Sequence, residues 1–302
     1  MKRTEAFEFY QPSTLQEASR LLKDNGPGGR FLAGGTDLVI AMKEKGLLPK
    51  YIVDLKRVPG LSGIRENSDG SLTLGALTTM YTIETSALIK KKYPFLAQSA
   101  AEVGSIQIRN RATIGGNMSN ASPSADTSPA FIALGATATV ANGSGERKIA
   151  IEDFFKGPGQ CALNQDEILT EVTIPKTAAN LVGEYIKFSP REMMDLAYVG
   201  VAVVYNLADD KKCTGVRIVL GAVAPTPIRA KRAEAALEGQ ILTEALAEKV
   251  GQLAAEEAKP ISDVRSSADY RRAMVGTMTK RALLNAAVGP AKSWTDRRER
   301  RY

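Results

Sequence analysis

The sequence predicts an α+β protein with two domains, and three observations support this fold class. The chain has 302 residues, which is longer than one ordinary domain. Short helical and strand patterns alternate up to about residue 55, and further strands and helices with one long irregular segment continue to residue 177. Three apolar strands and then three helical segments follow. Strands followed by helices are typical of α+β domains. We therefore predict a first domain over residues 1–177, a linker at Thr177-Ala178-Ala179-Asn180, a second domain over residues 181–289 and a basic tail over residues 290–302.

The first domain is predicted to have a small lobe over about residues 1–55 and a larger lobe over about residues 56–177. Ser13 and Gln16 have the spacing of a capping box at the start of a helix, which Asn25-Gly26 ends. The other predicted elements are strands at 31–33, 51–55, 64–76 with an internal turn, 136–141, 148–151 and 167–174, helices from about 36, at 78–86 and at 94–103, and a long irregular segment at 104–130.

The second domain is predicted to be a three-stranded antiparallel sheet followed by a helical bundle. A polar hairpin turn, Asp209-Asp210-Lys211-Lys212, separates two of its apolar runs. The predicted strands cover residues 184–188, 198–207 and 216–223, and the predicted helices cover about 229–238, 243–257 and 268–287.

Composition excludes several classes of protein. Hydrophobic residues make up 44% and charged residues 24% of the chain, which is typical of a globular protein and not of a disordered one. No apolar run approaches the roughly 18–20 residues that span a bilayer, and the N-terminus lacks the apolar segment of a signal peptide, so we expect a cytoplasmic protein without a membrane span. The net charge is +7, yet no nucleic-acid-binding motif accompanies it, and we expect the basic tail to be solvated or to contact a partner.

Reactive side chains are scarce in this sequence. It contains no histidine, which removes the commonest general base and metal ligand. Cys161 and Cys213 are far apart and cannot hold a zinc ion or an iron–sulfur cluster, which usually take four ligands. We therefore predict no metal site and no catalytic side chain, and we expect a bound cofactor to supply the chemistry.

Two glycine loops carry the clearest functional signal. They are Ala33-Gly34-Gly35-Thr36-Asp37 and Thr113-Ile114-Gly115-Gly116-Asn117. Glycine lets the backbone approach a ligand closely, and successive backbone N–H groups can bind phosphate oxygens. Neither loop is a G-x-G-x-x-G nucleotide loop or a P-loop. Each loop alone could be an ordinary turn; together they predict a diphosphate site, which Gly115→Val should abolish while the chain stays folded.

These loops lie in segments that resemble a known family. Phe31-Leu32-Ala33-Gly34-Gly35-Thr36-Asp37-Leu38, Ile108-Arg109-Asn110-Arg111-Ala112-Thr113-Ile114-Gly115-Gly116-Asn117 and Ser122-Pro123-Ser124-Ala125-Asp126 resemble the flavin loops of the FAD-binding (medium) subunits of molybdenum hydroxylases. That family includes subunits of aerobic carbon monoxide dehydrogenase and of xanthine, nicotinate and quinoline dehydrogenases. The resemblance covers nearly the whole chain and implies a two-lobed FAD-binding domain of the PCMH type.

The resemblance also implies roles for individual residues. The FAD diphosphate would be held, chiefly by backbone N–H groups, at Phe31, Leu32, Ala33, Gly34, Gly35, Thr36, Asp37 and Leu38, and at Thr113, Ile114, Gly115, Gly116 and Asn117. Asp126 would accept hydrogen bonds from the adenosine ribose, Gly104 would lie near the flavin or the diphosphate, Ile168 and Leu169 would pack on the adenine edge, and Lys187 would lie near the flavin ring. Without the resemblance, Asp126 reads equally well as a turn residue, Ile168 and Leu169 as strand core and Lys187 as a surface lysine. Leu196 stands where some relatives carry a tyrosine against the ring.

The implied function is electron transfer and not substrate oxidation. A large partner subunit would carry the molybdenum cofactor and a small one two [2Fe–2S] clusters, in a heterohexamer built as a dimer of heterotrimers. Electrons would pass from the clusters to FAD in this chain and on to an acceptor such as NAD or a quinone. Arg109 and Arg111 would brace the second loop or contact a neighbouring subunit.

Two other functions are consistent with parts of the sequence. A stand-alone flavin-dependent oxidoreductase of the wider family that includes vanillyl-alcohol oxidase would also bind FAD, but such proteins usually carry a larger substrate domain. A basic adaptor protein whose glycine pairs are only turns would bind no flavin and would be colourless.

Overall fold

The computed structural model describes residues 6–191 and 193–288. These residues form two compact units, each assembled from three separate segments of the chain. Unit 1 comprises the described residues of the segments 1–82, 106–121 and 136–175, and unit 2 comprises those of the segments 83–105, 122–135 and 176–302. The sequential domain bounds at 177 and 181 stay a prediction, and the predicted basic tail at 290–302 lies outside the described residues. No helix in the described part of the chain is long and apolar enough to cross a membrane.

Unit 1 contains a small parallel sheet and a larger antiparallel sheet. The strands of the parallel sheet are β1 (Glu8–Tyr10), β2 (Gly29–Leu32) and β3 (Tyr51–Asp54). Those of the antiparallel sheet are β4 (Ile64–Glu66), β5 (Leu72–Gly75), β6 (Thr137–Asn142), β7 (Gly145–Ala150) and β10 (Ile168–Ile174), and β8 (Phe155–Gly157) pairs separately with β9 (Gln160–Cys161). The parallel sheet has the order β1-β3-β2 and the antiparallel sheet the order β4-β5-β10-β6-β7.

The helices of unit 1 are short, and most of them lie close to a strand end. They are α1 (Leu15–Asn25), α2 (Leu38–Glu44), α6 (Ile106–Arg109), α7 (Ile114–Asn120) and α9 (Ile151–Phe154), while α3 (Met80–Thr85) crosses from unit 1 to unit 2. α1 begins one residue later than the predicted capping box. Thr14 is its N-cap, and the Thr14 hydroxyl accepts a hydrogen bond from Glu17 N. The Glu17 carboxylate in turn accepts a hydrogen bond from Ser13 N. The Thr14/Glu17 pair has the Thr-x-x-Glu spacing that a capping box requires.

The segment predicted to be irregular, residues 104–130, contains helix instead. α6 and α7 lie within it, and α8 (Thr127–Ala133) begins in it. The sequence did not predict these helices, because glycine, asparagine and serine are frequent in this segment and have low helix propensity. Local caps compensate for the low propensity of α7: Thr113 Oγ1 accepts a hydrogen bond from Gly116 N, and Ala121 ends the helix with a φ of 47°.

Unit 2 has a sheet that is covered on both faces by its own helices. β11 (Leu181–Phe188), β12 (Val199–Leu207) and β13 (Cys213–Gly221) are long and antiparallel, and a two-residue strand, β14 (Ile228–Arg229), pairs with β13. The predicted sheet thus gains a short fourth strand. The helices are α4 (Ala87–Lys92), α5 (Pro94–Ala101), α8, α10 (Lys231–Leu237), α11 (Glu244–Glu257) and α12 (Ala268–Val288).

The alternation of side chains along the strands decides which helices cover which face. Val199, Val201, Val203 and Tyr205 of β12 belong to a hydrophobic cluster with buried residues of α10, α11 and α12. The opposite face of the sheet packs on α5 and α8. On that face Gly183 leaves room for the Phe95 ring, since a Cβ there would lie 2.7 Å from it.

Candidate functional site

The first glycine loop connects β2 to α2 in unit 1. Gly35 has a φ of 80°, a backbone conformation that suits glycine. The carbonyl groups of the loop are used within the protein: Gly35 O accepts from Val39 N at 3.0 Å, and Asp37 O accepts from Ala41 N at 2.8 Å. Asp37 is the N-cap residue of α2, but its side chain makes no capping hydrogen bond.

Unlike these carbonyl groups, the N–H groups of the first loop are not engaged in hydrogen bonds within the described residues. Within the described residues, the backbone N–H groups of Gly34, Gly35, Thr36 and Asp37 donate no hydrogen bond to the protein. All four residues are half-buried or exposed, so an external acceptor can reach them. Unpaired backbone donors in succession are what binds phosphate oxygens in anion-binding loops. The loop therefore fits the diphosphate of a dinucleotide cofactor.

The second glycine loop is built in the opposite way. Ile114 N donates to Thr78 O at 3.0 Å, Gly115 N to Ala76 O at 2.7 Å, Gly116 N to Thr113 Oγ1 at 3.1 Å and Asn117 N to Thr113 O at 2.9 Å. These donors have acceptors inside unit 1. The sequence-based idea that this loop acts chiefly through its backbone N–H groups therefore does not follow from its geometry.

Close backbone packing explains why Gly115 is a glycine. A Cβ at this position would lie 2.8 Å from both the Cβ and the carbonyl oxygen of Ala76, closer than real Cβ atoms approach. Ala76 cannot move freely, since it also accepts the hydrogen bond from Gly115 N and its own N–H donates to Thr170 O at 2.8 Å. A larger side chain at Gly115 would thus disturb the fold itself, contrary to the expectation that Gly115→Val leaves the chain folded.

The structure brings the two loops into contact. A Cβ on Gly34 would lie only 1.9 Å from Arg111 O and 3.1 Å from Ala112 Cα. On the other side, a Cβ on Gly116 would lie 3.9 Å from the Ala33 Cβ. The backbone of Arg111 and Ala112 therefore packs directly against the backbone of the first loop. Only glycine at position 34 permits the two backbones to pack so closely.

Ile168 and Leu169 lie at the start of β10 with buried side chains. Ile168 belongs to a hydrophobic cluster that includes Ala18 and Val53, and both residues pair with β6. This placement is that of strand core. A role on the adenine edge stays a prediction.

In unit 2, Asp126 and Lys187 form a buried ion pair. Asp126 is the N-cap residue of α8 and Lys187 lies on β11. Lys187 Nζ donates to Asp126 Oδ2 at 3.0 Å and to the Glu102 carbonyl oxygen at 2.9 Å. Tyr185 Oη donates to Asp126 Oδ1 at 2.9 Å. Lys187 is therefore not a surface lysine, and Asp126 does not cap its own helix or turn.

The electrostatics of Asp126 are unusual. Burial raises the pKa of its carboxyl from 3.8 to about 6, and the nearby Glu102 adds to the rise, while Lys187 and the hydrogen bond from Tyr185 oppose it. Desolvation disfavours the charged form of a carboxyl group. Burial and the neighbouring Asp126 also raise the pKa of Tyr185 well above its ordinary value, so the tyrosine remains a hydrogen-bond donor.

The remaining predicted positions are placed as follows. Gly104 of unit 2 has a φ of 51°. Leu196 has an exposed side chain, and its N–H donates to Asp195 Oδ1 at 2.9 Å. Arg109 in unit 1 is buried. No group of three or more histidine, cysteine, aspartate or glutamate side chains within the described residues could hold a metal ion.

Sequence reasoning missed Tyr185. It lies two residues before Lys187 on β11, so both side chains leave the same face of the strand. A strand with two polar-tipped residues at a spacing of two, among apolar neighbours, was the available signal. Gly200 was also missed; it pairs with Lys187 across the β11–β12 ladder, and no pattern in β12 alone marks it.

Two family patterns match the chain in succession. The family described as FAD binding domain in molybdopterin dehydrogenase matches residues 5–177. The family described as CO dehydrogenase flavoprotein C-terminal domain matches residues 184–286. The first alone covers more than half of the chain.

Whole-chain relatives agree with these matches. The chain is 33% identical to the carbon monoxide dehydrogenase medium chain of Hydrogenophaga pseudoflava, over 93% of this chain and 96% of the relative. It is 32% identical to the xanthine dehydrogenase FAD-binding subunit of Escherichia coli O157:H7, with the same coverage.

Solved structures have the same fold. Carbon monoxide dehydrogenase from Hydrogenophaga pseudoflava, in a form lacking the Mo-pyranopterin moiety, matches with a TM-score of 0.91 at 33% identity, over 95% of this chain and 99% of that one. Quinoline 2-oxidoreductase from Pseudomonas putida 86 matches with a TM-score of 0.89 at 32% identity, over 95% and 98%. The α+β fold and the resemblance seen in the glycine loops are confirmed. The chain belongs to the family of FAD-binding subunits of molybdopterin dehydrogenases, which are oxidoreductases.

Proposed function

We propose that this chain binds FAD and that the first glycine loop holds the diphosphate. The observation that carries the proposal is the row of N–H groups at Gly34, Gly35, Thr36 and Asp37, which find no acceptor in the described part of the chain. Buried or half-buried backbone donors almost always have a partner, and a diphosphate supplies several acceptor oxygens at once. The neighbouring positions Phe31, Leu32, Ala33 and Leu38 frame this loop.

The second loop contributes to the same function by supporting the first. Its N–H groups at Ile114, Gly115, Gly116 and Asn117 are paired within unit 1, and the preceding Arg111 carbonyl packs against Gly34. We infer that the segment 113–117 fixes the position of the first loop and adds contacts to the cofactor through Thr113 and Asn117 only secondarily.

In unit 2 we propose Asp126 as an acceptor for the ribose hydroxyls of the adenosine. The resemblance also assigned Lys187 to the flavin ring, but the ribose and the ring lie at opposite ends of FAD, whereas Lys187 Nζ and Asp126 Oδ2 are 3.0 Å apart. We therefore infer that Lys187 serves the cofactor mainly as the ion-pair partner of Asp126. Gly104, Ile168 and Leu169 keep their predicted roles as hypotheses.

Asp126 can be tested with two flavins, because FAD is FMN extended by adenosine monophosphate. FMN lacks the adenosine, so Asp126→Asn should weaken FAD binding strongly and leave FMN binding nearly unchanged. Titrations of both flavins into the wild type and the variant, followed by flavin fluorescence, measure the difference. Equal loss of FMN and FAD would move the pair Asp126/Lys187 from the adenosine end to the flavin end.

Bound FAD supplies reversible electron transfer, and we propose that this chain uses it to relay electrons and not to oxidise a substrate. Relatives named carbon monoxide dehydrogenase medium chain are one subunit of a larger enzyme. By analogy we propose a large partner with a molybdenum cofactor, a small partner with [2Fe–2S] clusters, a dimer of heterotrimers, and an acceptor such as NAD or a quinone. A cytoplasmic location stays a prediction.

The first experiment is the visible absorption spectrum of the purified full chain with any co-purifying subunits, before and after FAD is added. Flavin bands that survive desalting support the proposal, and iron–sulfur absorbance with molybdenum in the same fraction supports the partners. A folded protein that stays colourless after FAD is added would refute it.

Amide hydrogen exchange tests the two loops separately. The N–H groups of Gly34, Gly35, Thr36 and Asp37 should exchange rapidly in the apoprotein and become protected when FAD binds, because only the ligand supplies their acceptors. Those of Gly115 and Gly116 should be protected in both states, because their acceptors belong to unit 1. Protection of the first loop in the apoprotein would contradict the proposed diphosphate site.

A further inference from the structure

Tyr185 shares the task of holding the Asp126 carboxylate with Lys187. The tyrosine is almost fully buried, with 1% of its surface exposed, and its hydroxyl donates to Oδ1, while Lys187 donates to Oδ2. A carboxylate that is held at one oxygen only can rotate about its bond to Cβ. Two donors, one at each oxygen, fix its plane.

The lone pairs that remain have a fixed direction. An ionised carboxylate offers about four acceptor positions. Tyr185 occupies one on Oδ1 of Asp126 and Lys187 one on Oδ2. A ligand hydroxyl that binds to Asp126 must use the others. The direction in which Asp126 can bind a ligand is therefore set by Tyr185 as much as by Asp126 itself.

Gly200 makes room for this arrangement. It faces Lys187 across the ladder between β11 and β12, and a Cβ at Gly200 would lie 3.1 Å from Tyr185 Oη. That distance is shorter than ordinary van der Waals contact between carbon and oxygen. A side chain at this position would push the tyrosine hydroxyl, which lies 2.9 Å from Asp126.

We propose that Tyr185 is a positioning residue for the cofactor, which acts through Asp126, and that Gly200 keeps the space its hydroxyl needs. The inference rests on the proposed FAD function and deepens it. It predicts that losing one hydroxyl group, without any change in the apolar packing of the ring, weakens FAD binding.

The pH dependence of binding gives a readout that a purely structural role would not change. The charged or titratable groups that face Asp126 are Lys187 and Tyr185 from β11 and Glu102 from the end of α5. The hydrogen bond from Tyr185 favours the charged carboxylate, so its loss raises the pKa of Asp126 further above about 6. The carboxylate that accepts from the ligand is protonated as the pH falls. On acidification, Tyr185→Phe should therefore lose FAD at a higher pH than the wild type.

The experiment compares Tyr185→Phe with Tyr205→Phe in the full chain. Tyr205 is a matched control, since it is a buried tyrosine of the same sheet whose hydroxyl donates to Leu283 O at 3.0 Å on the other face. We expect Tyr185→Phe to raise the Kd for FAD roughly tenfold, as the loss of one hydrogen bond to a charged group implies. The Kd of Tyr205→Phe should stay that of the wild type, even if its unfolding temperature falls.

The outcomes separate this proposal from the function on which it rests. If the wild type takes up no FAD, the proposed function fails first. If the wild type binds FAD and Tyr185→Phe has the same Kd and the same pH midpoint, only the positioning role is refuted. Gly200→Ala is the second variant: it keeps Tyr185 but displaces its hydroxyl, and it should weaken FAD binding in the same direction.

Discussion

The two glycine loops have similar sequences but opposite hydrogen-bonding patterns. The first loop, residues 33–37, leaves the N–H groups of Gly34, Gly35, Thr36 and Asp37 without an acceptor among residues 6–191 and 193–288. The second loop, residues 113–117, satisfies its donors within unit 1. A glycine pair therefore does not by itself identify an anion site, because it can equally serve close backbone packing.

The difference divides the work between the loops. We propose that the first loop receives the ligand and that the second belongs to the framework. They approach each other most closely at Gly34, where an added Cβ would lie 1.9 Å from the carbonyl oxygen of Arg111, just before the second loop. Substitutions should consequently have effects that depend on which loop they affect and on whether they disturb this contact.

Gly34→Ala should have the largest effect, because it forces the two loops apart. The new Cβ, whose position the backbone fixes, would lie 1.9 Å from the backbone oxygen of Arg111. We expect the free energy of unfolding to fall by about 3 kcal/mol, the upper end for overpacking, and FAD retention on desalting to be lost. Urea denaturation and the flavin spectrum measure the two effects. Gly143→Ala is the control, since its Cβ would meet only Ser19 Oγ at 3.9 Å; equal behaviour of the two variants would disprove the contact.

Gly115→Ala should have the next largest effect, on stability more than on binding. Its Cβ would lie 2.8 Å from Ala76, and relief of that contact should cost about 2 kcal/mol of the free energy of unfolding. The fraction that remains folded should still bind FAD, because the donors of the first loop are untouched. A variant of wild-type stability that has lost FAD would mean that the second loop, and not the first, is the ligand site.

The smallest effects should come from a matched pair of threonines. Thr113→Ala removes the acceptor for Gly116 N, and loss of such an N-cap costs about 1 kcal/mol. The Thr36 side chain makes no hydrogen bond within the described residues, so Thr36→Ala should change the free energy of unfolding by less than about 0.5 kcal/mol. Thermal denaturation of the two apoproteins gives the comparison. A reversed order would show that the caps are assigned to the wrong loop.

Much of the fold could be predicted from local patterns. The strands of the second domain were predicted because apolar residues predominate in β12 and β13, whose sheet is covered on both faces. The start of α1 was missed by one residue, since Ser13 and Thr14 are both good N-caps and only the Glu17 contact decides between them. The helices in residues 104–130 were missed because tertiary packing, and not propensity, stabilises them.

The candidate site shows the same limit. Both glycine loops and Asp126 stood out in the sequence because their residue types are chemically specific. Their hydrogen-bond partners did not stand out: Ala76 O, Arg111 O and the Tyr185 hydroxyl come from segments far along the chain or from ordinary strand residues. Hydrogen-bond partners of that kind cannot be identified from a single sequence.

The sequence by itself determined the family, the α+β class and the two loops, because glycine pairs, strand periodicity and the absence of histidine are properties of residues in order. Only the tertiary structure decided which loop keeps its N–H groups unpaired, that Lys187 lies on Asp126, and that Gly200 makes room for Tyr185. The physical reason is that unsatisfied donors, buried ion pairs and close backbone approaches depend on distances between segments that the chain order does not contain.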